Sequence, residues 1–401
     1  MKVLVLTYWS MNEALIQSYT LPYVRIIKKI LGEKGRIYLV TLEKKEYTLN
    51  EHNRQLLKES LSNEGIEWVS FNYYSFGLKA MLNMLKNIFV LCHLIYNKKI
   101  DKIHAWCTPA GALGWILSKF TGRKLIVDSY EPHAQSMVEN GTWSQSGLSF
   151  RILFFLEKMQ TKHAEVCIGL TEKTPDYARE TYGVEVKRHY IKPACVDLSA
   201  FKMDLPKNYQ LIDESGGSKK VIGLYAGKIG GIYLEQEIFD FFKACEDYWK
   251  ENFKAVVLTS APLSHVNSLI KNAGITHSVF VKEVSYQEIP AYMVLADFAL
   301  NPVKPVPSKR YCTSIKDGEY WAMGLPVVIP PNISDDSSII DTTNTGVVIR
   351  EFSQDGYGEA IEQLDTLLQE NQVDLKKRIR QLAEKHRSFS IAEKVYREIY
   401  G

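Results

Sequence analysis

Cysteine is scarce in the sequence, and no two cysteines stand at metal-binding spacing. The six cysteines occupy positions 92, 107, 167, 195, 245 and 312, so they form no C-x-x-C motif, and no histidine completes a tetrahedral zinc site. We therefore expect no structural metal centre. Unpaired cysteines indicate a reducing compartment such as the cytoplasm.

Long hydrophobic runs are also missing. The apolar stretch Val3–Leu6 is too short for the core of a signal peptide, and no small-residue cleavage site follows it. The most hydrophobic window, Leu78–Tyr96, is interrupted by Asn83, Lys86 and His93, and it falls short of the roughly 20 apolar residues that a membrane span needs. We expect neither a signal peptide nor a transmembrane segment.

Glycine and proline are too few for a fibrous or low-complexity protein. There are 24 glycines and 14 prolines among 401 residues, and 46% of the residues are hydrophobic. At 45.9 kDa the chain is longer than one hydrophobic core usually spans, so we expect two globular domains. No G-x-G-x-x-G follows a predicted strand, which argues against a dehydrogenase, and no motif indicates binding of nucleic acid.

The net charge of +3 conceals an uneven distribution. Residues 1–195 hold 26 Lys and Arg against 18 Asp and Glu, whereas the remainder holds 23 against 28. The basic half is expected to face something anionic, such as the inner face of a phospholipid membrane or a phosphorylated lipid carrier. A solvated surface without a partner is the alternative.

Short apolar runs alternate with amphipathic segments, which predicts βαβ units and parallel sheets. Seven strands are predicted in a Rossmann-like first domain, residues 1–195, at Val3–Thr7, Ile37–Thr41, Ile66–Phe71, Lys102–Ala105, Leu125–Asp128, Val166–Leu170 and Val186–Ile191. Helices are predicted between them at Tyr23–Leu31, Leu78–Tyr96, Ala110–Phe120, Leu148–His163 and Glu172–Tyr182, the last of which ends at Gly183.

A second domain is predicted over residues 196–385. The polar stretch Pro206–Lys220 lacks apolar periodicity and is interpreted as a linker or exposed loop. Six strands are predicted after it, at Val221–Ala226, Ala255–Thr259, Ser278–Val281, Phe298–Asn301, Pro326–Ile329 and Gly346–Ile349, and helices end the chain at Tyr357–Gln369, Leu375–His386 and Ile391–Tyr400. Two doubly wound domains would leave a cleft at the carboxyl ends of their strands.

The most informative stretch is residues 314–330, SIKDGEYWAMGLPVVIP. Ser314 can cap a helix of about three turns with Asp317 as the acid of a capping box, and Gly324 and Pro326 end that helix before a buried strand.

Lys316 and Glu319 share one side of this predicted helix. Its first turn offers backbone N–H groups at Ser314 and Ile315 and a cation to a diphosphate, and a carboxylate to a ribose diol. A nucleotide fits these groups. An ordinary capped helix with a surface Lys–Glu pair is the alternative when the stretch is considered alone.

The pattern S-x-K-x-x-E-Y-x-A-x-G-x-P-V-V in this stretch resembles the donor-site signature of retaining glycosyltransferase family 4. Similar stretches are residues 168–183, residues 190–201 (YIKPACVDLSAF), Tyr225–Gly227 and Ile339–Ile349. The resemblance implies the GT-B fold, in which two Rossmann-like, doubly wound domains face each other across a cleft. It further implies that residues 1–195 bind the acceptor, that residues 196–385 bind the donor, and that a helix in residues 386–401 returns to the N-terminal domain.

The resemblance also assigns roles to residues of this sequence. Glu319 would hold the ribose hydroxyls, and Lys228 and Lys316 the diphosphate. The remaining donor-binding residues would be Gly227, Val281, Val284, Ser314 and Ile315, with the segment Val281–Val284 against the base.

Two departures from the family pattern concern the phosphates. Members with an E-x7-E motif have a glutamate where this sequence has Tyr311, and the lysine that commonly follows the first cation is missing from GGIYLEQ. Lys228, Lys309, Arg310 and Lys316 are the available cations. Since Asp335 and Asp336 do not form a D-x-D motif, we expect a metal-independent reaction without cofactor, in which cations and a helix N-terminus stabilise the departing diphosphate.

In the first domain, Leu125–Trp143 is interpreted as a strand that runs into a polar, aromatic loop at the carboxyl edge of the sheet. The resemblance makes Asp128 and His133 candidates for contact with the sugar, with His133 also catalytic, and Glu131 and Glu139 candidates for the acceptor. A hydrogen-bonded loop histidine is the alternative for His133. Tyr8 and Trp9, at the end of the first strand, could stack on a sugar, but packing is favoured.

The sequence thus predicts a cytoplasmic bacterial glycosyltransferase of surface polysaccharide or glycoconjugate synthesis. It would move a hexose with retention from a UDP- or GDP-sugar to a saccharide or lipid-linked acceptor, in peripheral contact with the membrane through its basic domain. Two alternatives stay open: a sugar-nucleotide epimerase of the same fold, which would show no acceptor dependence, and a non-catalytic nucleotide-sugar-binding subunit.

Overall fold

The computed structural model describes residues 1–13, 15–74, 78–213, 220–275 and 278–401. The chain divides into two compact units. Unit 1 comprises Met1–Pro193 together with Phe389–Gly401, and unit 2 comprises Ala194–Ser388. The chain therefore leaves unit 1 two residues before the expected boundary at 195, and it re-enters unit 1 three residues after the expected one at 386.

Unit 1 is built on a parallel sheet of seven strands in the order β3-β2-β1-β4-β5-β6-β7. The strands are β1 (Lys2–Leu6), β2 (Arg36–Glu43), β3 (Ile66–Asn72), β4 (Lys102–Trp106), β5 (Lys124–Tyr130), β6 (Val166–Gly169) and β7 (His189–Ile191). All seven predicted strands are present. They were recognisable because strands that are covered on both faces read as nearly continuous apolar runs.

Helices cover both faces of this sheet. They are α1 (Leu21–Leu31), α2 (Glu51–Asn63), α3 (Leu78–Lys98), α4 (Cys107–Thr121), α5 (His133–Glu139), α6 (Leu148–His163), α7 (Thr174–Tyr182) and, from the end of the chain, α15 (Phe389–Tyr400). The strand order runs outward from β1 in both directions, so right-handed crossovers place α3, α4 and α6 on one face and α1 and α2 on the other. Helix α15 packs against α1.

Unit 2 is built on a parallel sheet of six strands in the order β10-β9-β8-β11-β12-β13. The strands are β8 (Val221–Ala226), β9 (Phe253–Leu258), β10 (Val279–Lys282), β11 (Phe298–Leu300), β12 (Val327–Ile329) and β13 (Gly346–Val348). Successive residues face opposite sides of the sheet, so that Leu224 packs into one apolar layer and Tyr225 into the other. The order reverses between β8 and β11, which makes their carboxyl ends the switch point of the sheet.

The helices of unit 2 are α8 (Gln236–Trp249), α9 (Leu263–Ala273), α10 (Ile289–Met293), α11 (Ile315–Ala322), α12 (Asp336–Thr343), α13 (Gln354–Leu368) and α14 (Gln372–His386). The helices predicted at Tyr357–Gln369 and Leu375–His386 correspond to α13 and α14. No helix among the described residues is long and apolar enough to cross a membrane.

Two irregular segments differ in part from their expectations. The described part of Pro206–Lys220 is mostly exposed, as expected of a loop, but it is not a linker between the units, because it lies within unit 2 and Ile212 of its 3₁₀ turn Tyr209–Ile212 is buried in the core of that unit. The glycine pair of that stretch, Gly216 and Gly217, lies outside the described residues. The loop expected after Asp128 contains α5, a helix too short and too polar to show an apolar period.

Candidate active site

Helix α11 begins beside the switch point of unit 2. Ser314 stands at its N-cap position in an extended conformation, and the helix runs for eight residues, just over two turns rather than the expected three. Its last residue is Ala322, Met323 is its C-cap, and Gly324 then turns the chain with a φ of +71° that favours glycine.

The predicted capping box is wrong. The Ser314 side chain accepts no hydrogen bond from the helix. Asp317 is buried instead, and each of its carboxylate oxygens lies 2.8 Å from Nδ2 of Asn301, the residue that follows β11. Asp317 therefore anchors α11 to the end of a strand, and the backbone N–H groups of the first turn keep no side-chain cap.

Lys316 lies against Gly227, the residue that follows β8. A Cβ atom at Gly227 would stand 2.3 Å from Cε of Lys316, so a side chain at this position would displace the end of the lysine from where it lies. The Lys316 ammonium donates to the Tyr233 hydroxyl at 2.7 Å and stands 4.1 Å from the centre of its ring. The structure thus brings Gly227 and Lys316 together and orients the cation through Tyr233, a residue that the sequence analysis missed.

Glu319 is a nearly buried carboxylate, 6% exposed, one turn after Lys316. The Tyr286 hydroxyl donates to its Oε1 at 2.7 Å. Burial raises the pKa of Glu319 to about 7, against the lowering effects of the Tyr286 hydrogen bond and the Lys316 charge. Its second oxygen has no hydrogen-bond partner among the described residues, so it can accept from a ligand.

The remaining donor-site candidates lie around these groups. Lys228 is exposed and forms no ion pair with a described residue, while its backbone carbonyl accepts from the Tyr225 hydroxyl. Val281 and Val284, in and just after β10, are partly exposed. Of the two alternative cations, Lys309 is 5% exposed and Arg310 is exposed. Tyr311 is half-buried at the end of the same 3₁₀ turn, Pro307–Tyr311.

In unit 1, Asp128 lies inside a closed network rather than at a surface. It is fully buried, and its carboxylate contacts His104 Nε2 at 3.1 Å, Lys192 Nζ at 3.2 Å and the Tyr396 hydroxyl at 2.5 Å. Burial by itself would raise the pKa of Asp128, but Lys192, His104 and Tyr396 lower it to about 2. These contacts give the carboxylate a structural role in tying α15 to β5.

Glu131 and His133 stand together at the start of α5. The Nδ1 atom of His133 lies 3.2 Å from Oε1 of Glu131, and both side chains are about one-third exposed. Beneath them the buried Glu157 accepts the Ala134 N–H at 2.8 Å and the Tyr182 hydroxyl at 2.9 Å. Burial raises the pKa of Glu157 to about 7 against the effect of these donors. Glu157 is a second residue that the sequence analysis missed. Its position as the one carboxylate in the mainly apolar stretch FFLEKM could have indicated a buried, functional acid.

Two further candidates stand at the carboxyl edge of the same sheet. Tyr8 packs edge-on against Tyr73, with ring centroids 6.0 Å apart, yet it remains 37% exposed. Glu139, at the end of α5, accepts from Gln135 at 3.2 Å. No cluster of three or more His, Cys, Asp or Glu side chains that could hold a metal occurs within the described ranges.

Asp317→Asn is expected to stabilise unit 2 increasingly as the pH rises. Burial raises the pKa of Asp317 well above its usual range, and the neighbouring Asp336 carboxylate adds to the shift. The folded state therefore holds a proton that the unfolded state releases, so wild-type stability falls by up to about 1.4 kcal/mol per pH unit above the ordinary aspartate pKa. Urea unfolding of both proteins at acidic and alkaline pH measures the difference.

Asp336→Asn is the matched control for that experiment. Asp336 pairs with the buried guanidinium of Arg387, so its loss leaves a buried cation without its charge partner and should destabilise the unit. If Asp317→Asn were as destabilising as Asp336→Asn at alkaline pH, the raised pKa of Asp317 would be refuted.

Two all-parallel Rossmann-like sheets in tandem are the architecture of the GT-B fold, and solved structures of that fold match the whole chain. HepE from Anabaena, in complex with UDP and glucose, is 15% identical, with a TM-score of 0.72 over 100% of this chain and 99% of that one. Sucrose-phosphate synthase from Thermosynechococcus elongatus is 13% identical, with a TM-score of 0.72 over 100% and 99%.

A glycosyltransferase from Rickettsia africae is 16% identical, with a TM-score of 0.67 over 100% of this chain and 97% of that one. No family model matches the sequence, and no curated protein is similar enough to match. The predicted GT-B fold, with two Rossmann-like domains, is confirmed.

Proposed function

We propose that the protein is a retaining, metal-independent glycosyltransferase of family 4 that moves a hexose from a UDP- or GDP-sugar to a saccharide or lipid-linked acceptor. The observation that carries the proposal is the approach of Lys316 to Gly227 at the switch point of unit 2, with the Glu319 carboxylate one turn further along the same helix. The likeness to HepE, whose structure holds UDP and glucose, supports the same ligand class. A place in bacterial surface polysaccharide synthesis at the cytoplasmic membrane face belongs to this proposal.

The donor nucleotide would be bound by unit 2. The free oxygen of Glu319 accepts from the ribose hydroxyls, and the segment Val281–Val284 contacts the base. The diphosphate meets the Lys316 ammonium, the uncapped N–H groups at Ser314 and Ile315, and the exposed Lys228. Each of the groups around the diphosphate brings positive charge or hydrogen-bond donors to this anionic part of the ligand.

The transfer breaks the bond between the anomeric carbon and the diphosphate oxygen, and the electron pair leaves with that oxygen. A new bond forms from an acceptor hydroxyl oxygen to the same face of the sugar, and the hydroxyl proton passes to the departing phosphate. Charge on the diphosphate increases as the bond stretches, so groups fixed against it stabilise the transition state more than the ground state.

The acceptor would be bound by unit 1, with Glu131 and His133 in contact with the sugars. Their shared hydrogen bond orients the imidazole, and Glu157 holds the start of α5 beneath them. Asp128 would stabilise unit 1 through its buried network and would not contact the acceptor itself.

The proposal is tested with the purified protein, UDP, GDP and their sugars. One nucleotide should raise the melting temperature, since a ligand at about 100 times its Kd stabilises by about 2.7 kcal/mol. Transfer to an acceptor should proceed with retained anomeric configuration and persist in EDTA. Absence of nucleotide binding would refute the donor site, magnesium-dependent activity would refute the metal-free mechanism, and acceptor-independent epimerisation would identify an epimerase.

Glu319→Ala is expected to weaken nucleotide affinity by about 10- to 100-fold, because a hydrogen bond to a charged group contributes about 1.5 to 3 kcal/mol. Titration calorimetry with UDP and its 2′-deoxy analogue would measure the effect. Wild type should prefer the ribonucleotide, and the variant should show no preference between the two.

Glu319→Gln controls for packing and for ionisation. Since the pKa of Glu319 is about 7, wild-type affinity should decline below neutral pH as the carboxylate gains a proton and loses an acceptor. The glutamine variant lacks this titration and should lose that part of the pH dependence. Identical pH profiles for the two proteins would remove Glu319 from the ribose site.

A further inference from the structure

Exposed apolar side chains are concentrated on one face of unit 1. Of the nineteen large hydrophobic residues that are exposed among those described, eleven lie on α3, α4 and α6. We call the surface that they form the α3–α4–α6 face; its apolar residues are Met81, Leu82, Met84, Leu85, Phe89, Val90, Tyr96, Phe120, Leu148, Ile152 and Phe155. Phe89 alone is 75% exposed. Contiguous apolar surface of this kind marks a docking site rather than an ordinary solvated surface.

The three helices form one continuous surface. Helix α3 packs against α4, and α4 against α6. The exposed Tyr96 of α3 donates to the backbone carbonyl of the exposed Phe120 of α4 at 3.1 Å. Trp115 of α4 meets Phe155 of α6 edge-on, with ring centroids 6.4 Å apart. Aromatic contacts therefore join the apolar patches of neighbouring helices.

The charges on this face are all of one sign. Its exposed charged residues are Lys79, Lys86, Lys98, Lys119, Arg151, Lys158 and Lys162. None of these seven forms an ion pair within the part of the chain that the structure describes. The only acidic residue of the three helices, Glu157, is fully buried. By contrast, the opposite face carries charges of both signs, and Arg25 pairs there with Glu64 at 2.7 Å.

We propose that the α3–α4–α6 face docks on the surface of an anionic phospholipid bilayer. Apolar side chains would enter the interface between headgroups and acyl chains, while the lysines meet lipid phosphates. A second copy of the chain fits less well, since a two-fold interface would oppose cations with cations and supply no carboxylate to pair them. Interspersed cations and aromatics, rather than an apolar centre with a polar rim, also favour lipid over protein.

The face lies where an acceptor carried by lipid would arrive. Helix α3 follows β3, so its first turns, with Met81 and Leu82, start from the carboxyl edge of the sheet, the edge at which Glu131 and His133 stand. This inference rests on the proposed function only in its choice of a lipid-linked acceptor over a soluble saccharide. Docking itself can be measured without any transfer reaction.

Vesicle co-sedimentation tests the docking. The full chain should bind phosphatidylcholine vesicles that contain phosphatidylglycerol, bind pure phosphatidylcholine weakly, and dissociate at high salt. Leu85→Gln with Phe89→Gln should lower the affinity for anionic vesicles by about 100-fold, roughly tenfold for each apolar side chain removed. Lys86→Glu and Lys119→Glu should each lower it by roughly fivefold.

Two control variants make the same types of substitution outside the α3–α4–α6 face. The double variant Leu56→Gln with Val373→Gln removes two apolar side chains that are about as exposed as Leu85 and Phe89 but lie outside the face. Lys34→Glu reverses an exposed charge outside the face. Both control variants should bind vesicles like wild type, and thermal shift with UDP should be the same in every variant. Loss of vesicle binding with UDP binding intact separates this proposal from the proposed function.

Three results would overturn the docking proposal. The first is a monomer that binds no anionic vesicle. The second is dimerisation in light scattering that Leu85→Gln with Phe89→Gln abolishes, without any binding to vesicles, which would assign the face to a second copy. The third is equal, salt-independent binding to neutral vesicles, which would remove the role of the lysines.

Discussion

Lys316→Met is expected to lower kcat by about two to three orders of magnitude while the donor KM changes much less. A fixed donor aimed at charge that grows in the transition state is worth about that factor in mutagenesis of comparable sites. Lys316 is fixed in this way, because Tyr233 holds its ammonium and Gly227 leaves room for its side chain. Steady-state kinetics with the nucleotide sugar and an acceptor would measure both constants.

Two variants control for other effects of that change. Tyr233→Phe removes the hydroxyl that orients Lys316 but leaves its charge, so kcat should decline by roughly tenfold, the cost of one hydrogen bond of about 1.4 kcal/mol. Lys271→Met removes an exposed lysine of α9 and should have no effect. A Lys316→Met variant with unchanged kcat and raised KM would show that Lys316 binds the ground state and the transition state equally well. Unchanged kinetics would mean that Lys228 or Lys309 binds the diphosphate instead.

The sheets of both units could be predicted from the sequence because their strands are covered on both faces. Val3–Leu6 and Val221–Ala226 are apolar runs with no polar alternation, and a parallel sheet between helices is the arrangement that buries such runs. Glycine marked the end of α7 at Gly183, which adopts the left-handed conformation of a helix C-cap. These signals are local, so a single sequence contains them.

The polar contacts of the site could not be predicted, since their partners are distant in the chain. Asp317 looked like a capping acid from its spacing to Ser314, but the sheet brings Asn301 to its carboxylate and leaves the cap empty. Lys316 meets Tyr233 from 83 residues away, and Glu319 meets Tyr286 from 33. The position of α11 could therefore be predicted from the sequence, whereas the groups that orient its side chains required the structure.

Lys192→Met is expected to destabilise unit 1 by about 3 to 5 kcal/mol, the usual cost of leaving a buried charge without its partner. Lys192 is fully buried, 3.2 Å from Asp128 and 3.9 Å from the centre of the Tyr23 ring. It directly precedes Pro193, the last residue before the chain enters unit 2, and Asp128 also binds Tyr396 of α15. Hydrogen exchange of β5 and α15, measured by mass spectrometry, should accelerate together.

Adding Asp128→Asn to Lys192→Met should recover part of that loss, because the double variant no longer buries an unpaired carboxylate. Arg25→Ala breaks an ion pair of similar length on the surface of the same unit and should cost at most about 1 kcal/mol, since water already solvates both partners. The network should also weaken in acid: the pKa of Asp128 is lowered to about 2, so its contribution is complete above the ordinary aspartate pKa and is lost as the pH falls toward 2. If the double variant were less stable than Lys192→Met by the full cost of Asp128→Asn alone, the two side chains would act independently, and α15 would be held by its apolar packing on α1 instead.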